Sequence, residues 1–129
     1  MKKLLVGLAM VSVISISHAV EWAHITMAKT GTSVDVLRGS GVITTDSDNN
    51  SIYVGVVRYT SQNNVIEYYR EYVYTDDCAM GVGVLQSLNM RGTPAGSNNY
   101  VLGGSAVGDS IAQVFCLAYK FTKNSQPSR

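Results

Sequence analysis

Runs of Val, Ile, Tyr and Thr, separated by short polar segments, fill most of the chain after its first 20 residues. Six such runs predict β-strands at 21–28, 34–38, 42–45, 52–59, 64–75 and 78–89. The segments between the first five runs are rich in Gly, Ser, Asp and Asn, which favour tight turns. Because these connections are short, we expect the strands to pair as an antiparallel meander.

After Gly103 and Gly104 the pattern becomes helical. Apolar residues recur three and four positions apart over 105–121, which predicts an amphipathic helix. Ser105 stands where an N-cap is expected, and Asp109 lies near the positive end of the helix dipole. The polar segment 122–129 is predicted to be a flexible tail.

The fifth run places most of its aromatic residues on one face of the predicted sheet. Its even-numbered positions hold Ile66, Tyr68, Arg70, Tyr72 and Tyr74, and alternate residues of a strand share a face. If the strand continues unbroken to Cys78, that cysteine lies on the same face, opposite Cys116 on the apolar side of the helix. The fold prediction is therefore α+β: a single antiparallel sheet of about five to six strands, with a C-terminal helix packed on its tyrosine-bearing face and one disulfide.

The first 19 residues have the features of a cleavable export signal. Lys2 and Lys3 precede the apolar stretch 4–16, and Ser17-His18-Ala19 is a small-x-small cleavage site. Residues 20–121 are then one domain. Because no cysteine follows the apolar stretch, we expect a periplasmic or secreted protein without a lipid anchor. No other apolar run reaches the roughly 18 residues of a membrane span.

Export places Cys78 and Cys116 in a compartment where a disulfide forms and persists. A bridge between them closes about 39 residues, for which chain entropy predicts a stabilisation of about 4 kcal/mol. The alternative is a pair of free or metal-binding thiols. Zinc sites use about four ligands, and His24 is the one histidine after the signal, so the disulfide is the favoured interpretation.

Charge and residue inventory exclude several function classes. Without Lys2 and Lys3 the chain has eight basic and nine acidic side chains, a balance that argues against binding nucleic acid or anionic membranes. A Ser–His–Asp or Cys–His site needs a histidine base, for which His24 is the one candidate. Glu67 and Glu71 share a strand face but stand about 13 Å apart, wider than a glycosidase pair. We therefore expect no enzyme, no cofactor and no metal.

Two further motifs have simple structural interpretations. The segment 46–50 begins like a calcium loop, but Ser51 and Val57 stand where an EF-hand needs Gly and an acidic residue, so a polar hairpin turn is expected. Gly81-Val82-Gly83 lies within a strand-like run and indicates a bulge or close packing against a large side chain.

Three features together resemble the surface-adhesin E family of small exported bacterial proteins. They are an early Glu21-Trp22 strand, Asp77-Cys78 at the end of a tyrosine-bearing strand, and Gly103-Gly104-Ser105 before a helix that carries the second cysteine. The resemblance covers residues 22–116. It implies an antiparallel sheet stapled to a C-terminal helix, a homodimer, and adhesion to host extracellular or plasma proteins.

The leading hypothesis is a binding module that acts through protein–protein contacts at the cell envelope or host surface. Exposed tyrosine beside arginine is typical of contact surfaces, which makes Tyr59, Tyr69, Arg70 and Arg91 the candidate contact residues. Sheet edges are a second route to a partner strand or a second copy. The alternative function is a periplasmic inhibitor of a secreted hydrolase such as lysozyme, with loop 91–96 inserted into the cleft of the enzyme.

Overall fold

The computed structural model describes residues 20–125. The elements in chain order are β1 (Trp22–Met27), β2 (Ser33–Leu37), β3 (Val42–Thr45), β4 (Ser51–Thr60), β5 (Ile66–Tyr74), α1 (Thr75–Met80), β6 (Val82–Leu88), β7 (Pro94–Val101) and α2 (Val107–Ser125). The predicted export signal at 1–19 and the end of the predicted tail at 126–129 lie outside the described residues. Neither α1 nor α2 is long and apolar enough to cross a membrane.

The seven strands form one antiparallel sheet in the order β1-β2-β4-β5-β6-β7, with β3 paired to β4. β3 pairs with the first half of β4 and β2 with the second half, so β2 and β3 follow one another along the same side of that strand. The predicted meander is therefore wrong between β2 and β3, which form no hairpin with each other. Ser40 bridges the gap between them, because its hydroxyl donates to the Leu37 carbonyl and accepts the Val56 N–H. The predicted antiparallel sheet with a C-terminal helix and one disulfide is confirmed.

Two elements differ from the sequence prediction. The sequence pattern predicts that residues 75–80 lie in or between two strands, but they form the short helix α1. This helix ends at Gly81, which has the left-handed conformation (φ 81°). Residues 94–101 form β7, although the pattern there predicts no strand. Tyr100 is the one buried residue of β7, so this edge strand lacks the apolar alternation by which strands are recognised.

The helix α2 covers the face opposite to the predicted one. Odd-numbered residues of β4 and β5 point towards it, and Tyr53, Val57 and Val73 pack with Phe115 in the core. The even-numbered tyrosines of β5 therefore lie on the uncovered face. The prediction was wrong because β5 ends at Tyr74 and the chain turns into α1, so the alternation stops before it reaches Cys78.

Phe115 packs at a point where the sheet presents no side chain. Gly55 lies in the middle of β4, and a Cβ atom there would stand 3.0 Å from the Phe115 ring. The same ring meets Tyr53 edge-on, with centroids 5.5 Å apart. The missing side chain at position 55 therefore allows α2 to approach the sheet closely.

Asp109 fixes the start of α2. Its Oδ2 accepts the Ala106 N–H at 3.0 Å, and its Oδ1 accepts the Val101 N–H at 2.9 Å, so one carboxylate joins the helix to the end of β7. The helix begins two residues after the predicted Ser105. It continues to Ser125, and residues 122–125 of the predicted tail are therefore helical.

The predicted disulfide is present between Cys78 on α1 and Cys116 on α2, with Cα atoms 5.4 Å apart. We expect Cys78→Ser to lower the free energy of unfolding by up to about 4 kcal/mol, because the unfolded chain then loses its cross-link. Thermal unfolding of the variant and of the wild type, with and without reductant, measures the effect. Equal melting temperatures for oxidised and reduced wild type would show that the bridge does not stabilise the fold.

Candidate functional site

The sheet face that α2 leaves uncovered, called the open face below, carries a row of polar and aromatic side chains. His24 of β1 pairs with Asp35 of β2, Asp35 pairs with Arg58 of β4, and Arg58 pairs with Tyr68 of β5. Directly paired residues point to the same side of a sheet. The row therefore runs across four adjacent strands.

An ion pair lies at the centre of this row. Arg58 donates to Asp35 Oδ2 from Nη2 at 2.9 Å and from Nε at 3.3 Å, while His24 Nδ1 lies 3.0 Å from Asp35 Oδ1. Only 7% of Asp35 is exposed. Burial alone would raise the pKa of Asp35, but the hydrogen bonds and charges of Arg58 and His24 outweigh burial and lower it. Asp35 is therefore ionised at neutral pH and holds Arg58 in place.

Trp22 packs on the arginine of the ion pair and also against Tyr68. The centroids of the two rings are 5.8 Å apart, although β2 and β4 lie between the strands that carry them. The Arg58 guanidinium lies 4.3 Å from the centroid of the Trp22 ring, within the range of a cation–π interaction. These contacts fix two aromatic rings and one arginine on the surface of the sheet, and we call Trp22, Arg58 and Tyr68 the open-face cluster.

His24, Ser33 and Asp35 are neighbours without the geometry of a catalytic triad. Ser33 Oγ (3.3 Å) and Asp35 Oδ1 (3.0 Å) both contact the same ring nitrogen, Nδ1. In a triad the serine and the carboxylate contact opposite ring nitrogens. The carboxylate orients the imidazole, and the other nitrogen takes the proton from the serine. Here Nδ1 cannot take a proton from Ser33 while it donates one to Asp35.

The structure does not bring the four predicted contact residues together. Arg70 is exposed on the open face, two positions along β5 from Tyr68. Tyr59 and Tyr69 point to the opposite face, where their rings pack edge-on with centroids 5.5 Å apart. Arg91 is exposed in the turn between β6 and β7.

The turn that carries Arg91 is short. The Asn89 side chain accepts the N–H groups of Arg91 and Thr93, and β7 begins at Pro94. The segment 91–96, predicted as an inserting loop, is therefore divided between a tight turn and an edge strand. The segment 46–50 is a polar hairpin turn, as predicted, because Asp46 Oδ1 accepts the N–H groups of Asp48 and Asn50.

Alternation along β5 separates charges that are close in sequence. Glu67 and Glu71 lie on the same side of the sheet as α2, whereas Arg70 lies on the open face. Among the strand residues of the open face, Arg58 and Arg70 are basic and Asp35 is acidic. The open face thus has an excess of positive charge, and the carboxylates of β5 lie behind it.

Glu67 and Glu71 border a cleft of about 270 Å³. No residue of α2 lines this cleft. We call it the acidic cleft. It is lined by the side chains of Tyr59, Tyr69, Glu67 and Glu71, together with residues of small volume from β6, β7 and the turn before β2: Thr32, Ser87 and Ala95.

Glu71 is the most buried polar residue of the acidic cleft, with 2% of its surface exposed. Its Oε2 accepts the Tyr59 hydroxyl at 2.7 Å and the Ser87 hydroxyl at 2.8 Å. Within residues 20–125, nothing donates to its buried Oε1. Burial raises the pKa of Glu71, although the two hydroxyls act in the opposite direction. Burial and the nearby Glu71 charge also raise the pKa of Tyr59, which remains protonated and donates.

No family model, curated protein or solved structure matches this chain. The resemblance to the surface-adhesin E family accordingly stays a prediction from sequence motifs. No group of three or more His, Cys, Asp or Glu side chains placed to hold a metal ion occurs in the described part of the chain.

We expect Glu71→Gln to change how stability depends on pH. The raised pKa of Glu71 means that the folded protein holds this proton more tightly than the unfolded chain. This contribution to wild-type stability is therefore complete below the unfolded pKa of about 4.3 and is lost as the pH rises through the folded pKa. Glutamine at position 71 does not titrate, so the free energy of unfolding of the variant does not decline in this way. Urea unfolding of both proteins over a pH series above about 4.5 measures the difference.

Glu67→Gln is the matched control, because Glu67 is exposed in the same cleft. It should keep the wild-type decline in stability with rising pH. Parallel pH profiles for the wild type and Glu71→Gln would contradict the assignment of the proton to Glu71.

Proposed function

We propose that this protein is an exported, non-catalytic binding module that contacts a protein partner through its open face. The observation that carries the proposal is the open-face cluster of Trp22, Arg58 and Tyr68. Trp, Tyr and Arg dominate the binding energy of protein interfaces. Asp35 and the contact between the Trp22 and Tyr68 rings hold the cluster in one arrangement before any partner arrives, which reduces the entropy lost on binding.

Apolar surface next to the cluster adds contact area. Ile66 is 48% exposed and Tyr68 is 45% exposed, and both lie on the same face of β5. A partner that covers these two side chains would bury apolar surface around the arginines. This combination of an aromatic centre and charged neighbours is typical of contact surfaces.

The charge of the open face favours a partner with an acidic surface. Arg70 is exposed and makes no ion pair with any residue between 20 and 125, so it is available to a carboxylate of a partner. Arg58 is already neutralised by Asp35 and contributes mainly its position and its contact with Trp22. The setting at the cell envelope or host surface rests on the export signal and on the family resemblance.

The double variant Tyr68→Ala/Arg70→Ala tests the open face. Capture on the oxidised wild-type protein from envelope and host-protein extracts identifies candidate partners, and each candidate is then titrated in purified form. We expect the double variant to bind at least about thirtyfold more weakly, because hot-spot residues contribute about 2 kcal/mol or more. The affinity of the wild type should also fall with added salt.

The matched control is Leu117→Ala/Phe121→Ala, which removes exposed apolar side chains from α2 (56% and 77% exposed). It should bind like the wild type, and thermal unfolding verifies that both double variants are folded. Unchanged binding by the open-face variant, together with a loss in the α2 variant, would contradict the proposal.

A further inference from the structure

A buried carboxylate oxygen in the acidic cleft lacks a donor. Oε1 of Glu71 has less than 1 Å² exposed and accepts no hydrogen bond from residues 20–125, although Oε2 of the same group accepts two. A buried acceptor without a partner destabilises the folded state. Such groups in folded proteins call for an explanation, of which a ligand that supplies the missing donor is one.

The lining of the cleft selects the chemistry of that donor. Among residues 20–125, two carboxyl groups border the cleft, those of Glu67 and Glu71, and no Lys, Arg or His of this range does. An anion is therefore repelled. An ammonium group carries three donors and no acceptor, and the aromatic rings of Tyr59 and Tyr69 add a surface that attracts cations.

We propose that the acidic cleft binds an alkylammonium group, which donates to Oε1 of Glu71 and is neutralised by the Glu67 and Glu71 carboxylates. The two glutamates are four residues apart on β5, a separation of about 13 Å between their Cα atoms. A chain with an ammonium at each end would engage both. The ammonium comes from one of two sources, a small free amine or a lysine side chain of another protein.

Tyr69 is the second aromatic side chain of the acidic cleft. It is half-buried, lines the cleft and packs edge-on against Tyr59, which itself is held by Glu71. The site is on the opposite side of the sheet from the open face, so it does not depend on the proposed function.

Binding should strengthen as the pH rises. The titratable groups that face Glu71 are Tyr59 on β4 and Tyr69 and Glu67 on β5, while β6 and β7 contribute Ser87 and Ala95. Burial favours the protonated form of Glu71 in the free protein, because it raises the pKa of that group. A bound ammonium favours the carboxylate, so Glu71 releases its proton on binding.

Calorimetric titration of the purified, oxidised protein with cadaverine tests the proposal, with pentanediol as the uncharged analogue. We expect cadaverine to bind with a Kd below about 1 mM and pentanediol not to bind. Affinity should rise from about pH 5 to about pH 8. Glu71→Gln should weaken binding at least about tenfold and remove the pH dependence.

Glu67→Gln should weaken binding less, and Glu21→Gln, whose exposed carboxylate faces Arg38 instead of the cleft, should have no effect. Backbone amide shifts of Ser87 and Glu71 on titration locate the ligand independently of the variants. Equal affinity of wild type and Glu71→Gln, equal binding of pentanediol, or shifts confined to other regions would overturn the proposal.

The same titration with an N-acetylated, C-amidated lysine distinguishes the two sources. Tighter binding of cadaverine supports the site and assigns it to small diamines. Tighter binding of the lysine derivative supports the site and assigns it to a protein side chain. Absence of binding by both compounds overturns the proposal.

Discussion

The packing of α2 against the odd-numbered residues of β4 and β5 determines what each face of the sheet can do. Phe115 occupies the space above Gly55, and the Cys78–Cys116 bridge joins α2 to the helical turn that follows β5. These two contacts hold α2 over Tyr53, Val57 and Val73, which are therefore buried in the core. Every even-numbered residue of the two strands is then directed to the open face.

The two most buried carboxyl groups of the sheet illustrate how the faces differ. Asp35, on the open face, is surrounded by Arg58 and His24, and its pKa is lowered although it is buried. Glu71, on the other face, has only the neutral hydroxyls of Tyr59 and Ser87, and burial raises its pKa. The first carboxyl organises a cationic, aromatic surface. The second is a buried acceptor beside an acidic cleft.

Much of the fold could be predicted from local patterns. The alternation of Val, Ile and Tyr with Gly- and Asn-rich turns predicts the strands up to β5, although not that β2 pairs with β4 instead of β3. The spacing of Val107, Ile111 and Phe115 predicts α2. The predicted export signal and the presence of two cysteines are enough to predict the disulfide. These features depend on residues close together in sequence or on residue counts, which a single chain reveals.

The parts that were missed depend on contacts between distant segments. Asp76 and Asp77 favour the first turn of a helix over a strand. Thr75 and Cys78 are compatible with a strand, so the local pattern alone does not fix where the chain leaves the sheet. β7 is held by its pairing to β6 and by the bond from Val101 to Asp109, and six of its eight residues are small or polar. Glu71 could have been identified once the core face was known, because it is two positions from Val73 on the same strand face and a buried carboxyl group needs partners. No local pattern indicates the open-face cluster, because Trp22 and Tyr68 meet across two intervening strands.

Site-specific photo-cross-linking tests most directly whether the open face is the contact surface. A photoreactive phenylalanine analogue replaces either Tyr68 on the open face or Leu117 on α2, and the oxidised protein is irradiated in envelope and host-protein extracts. We expect a discrete adduct from position 68 that excess wild-type protein competes away, and none from position 117. An adduct formed only from position 117 would contradict this expectation.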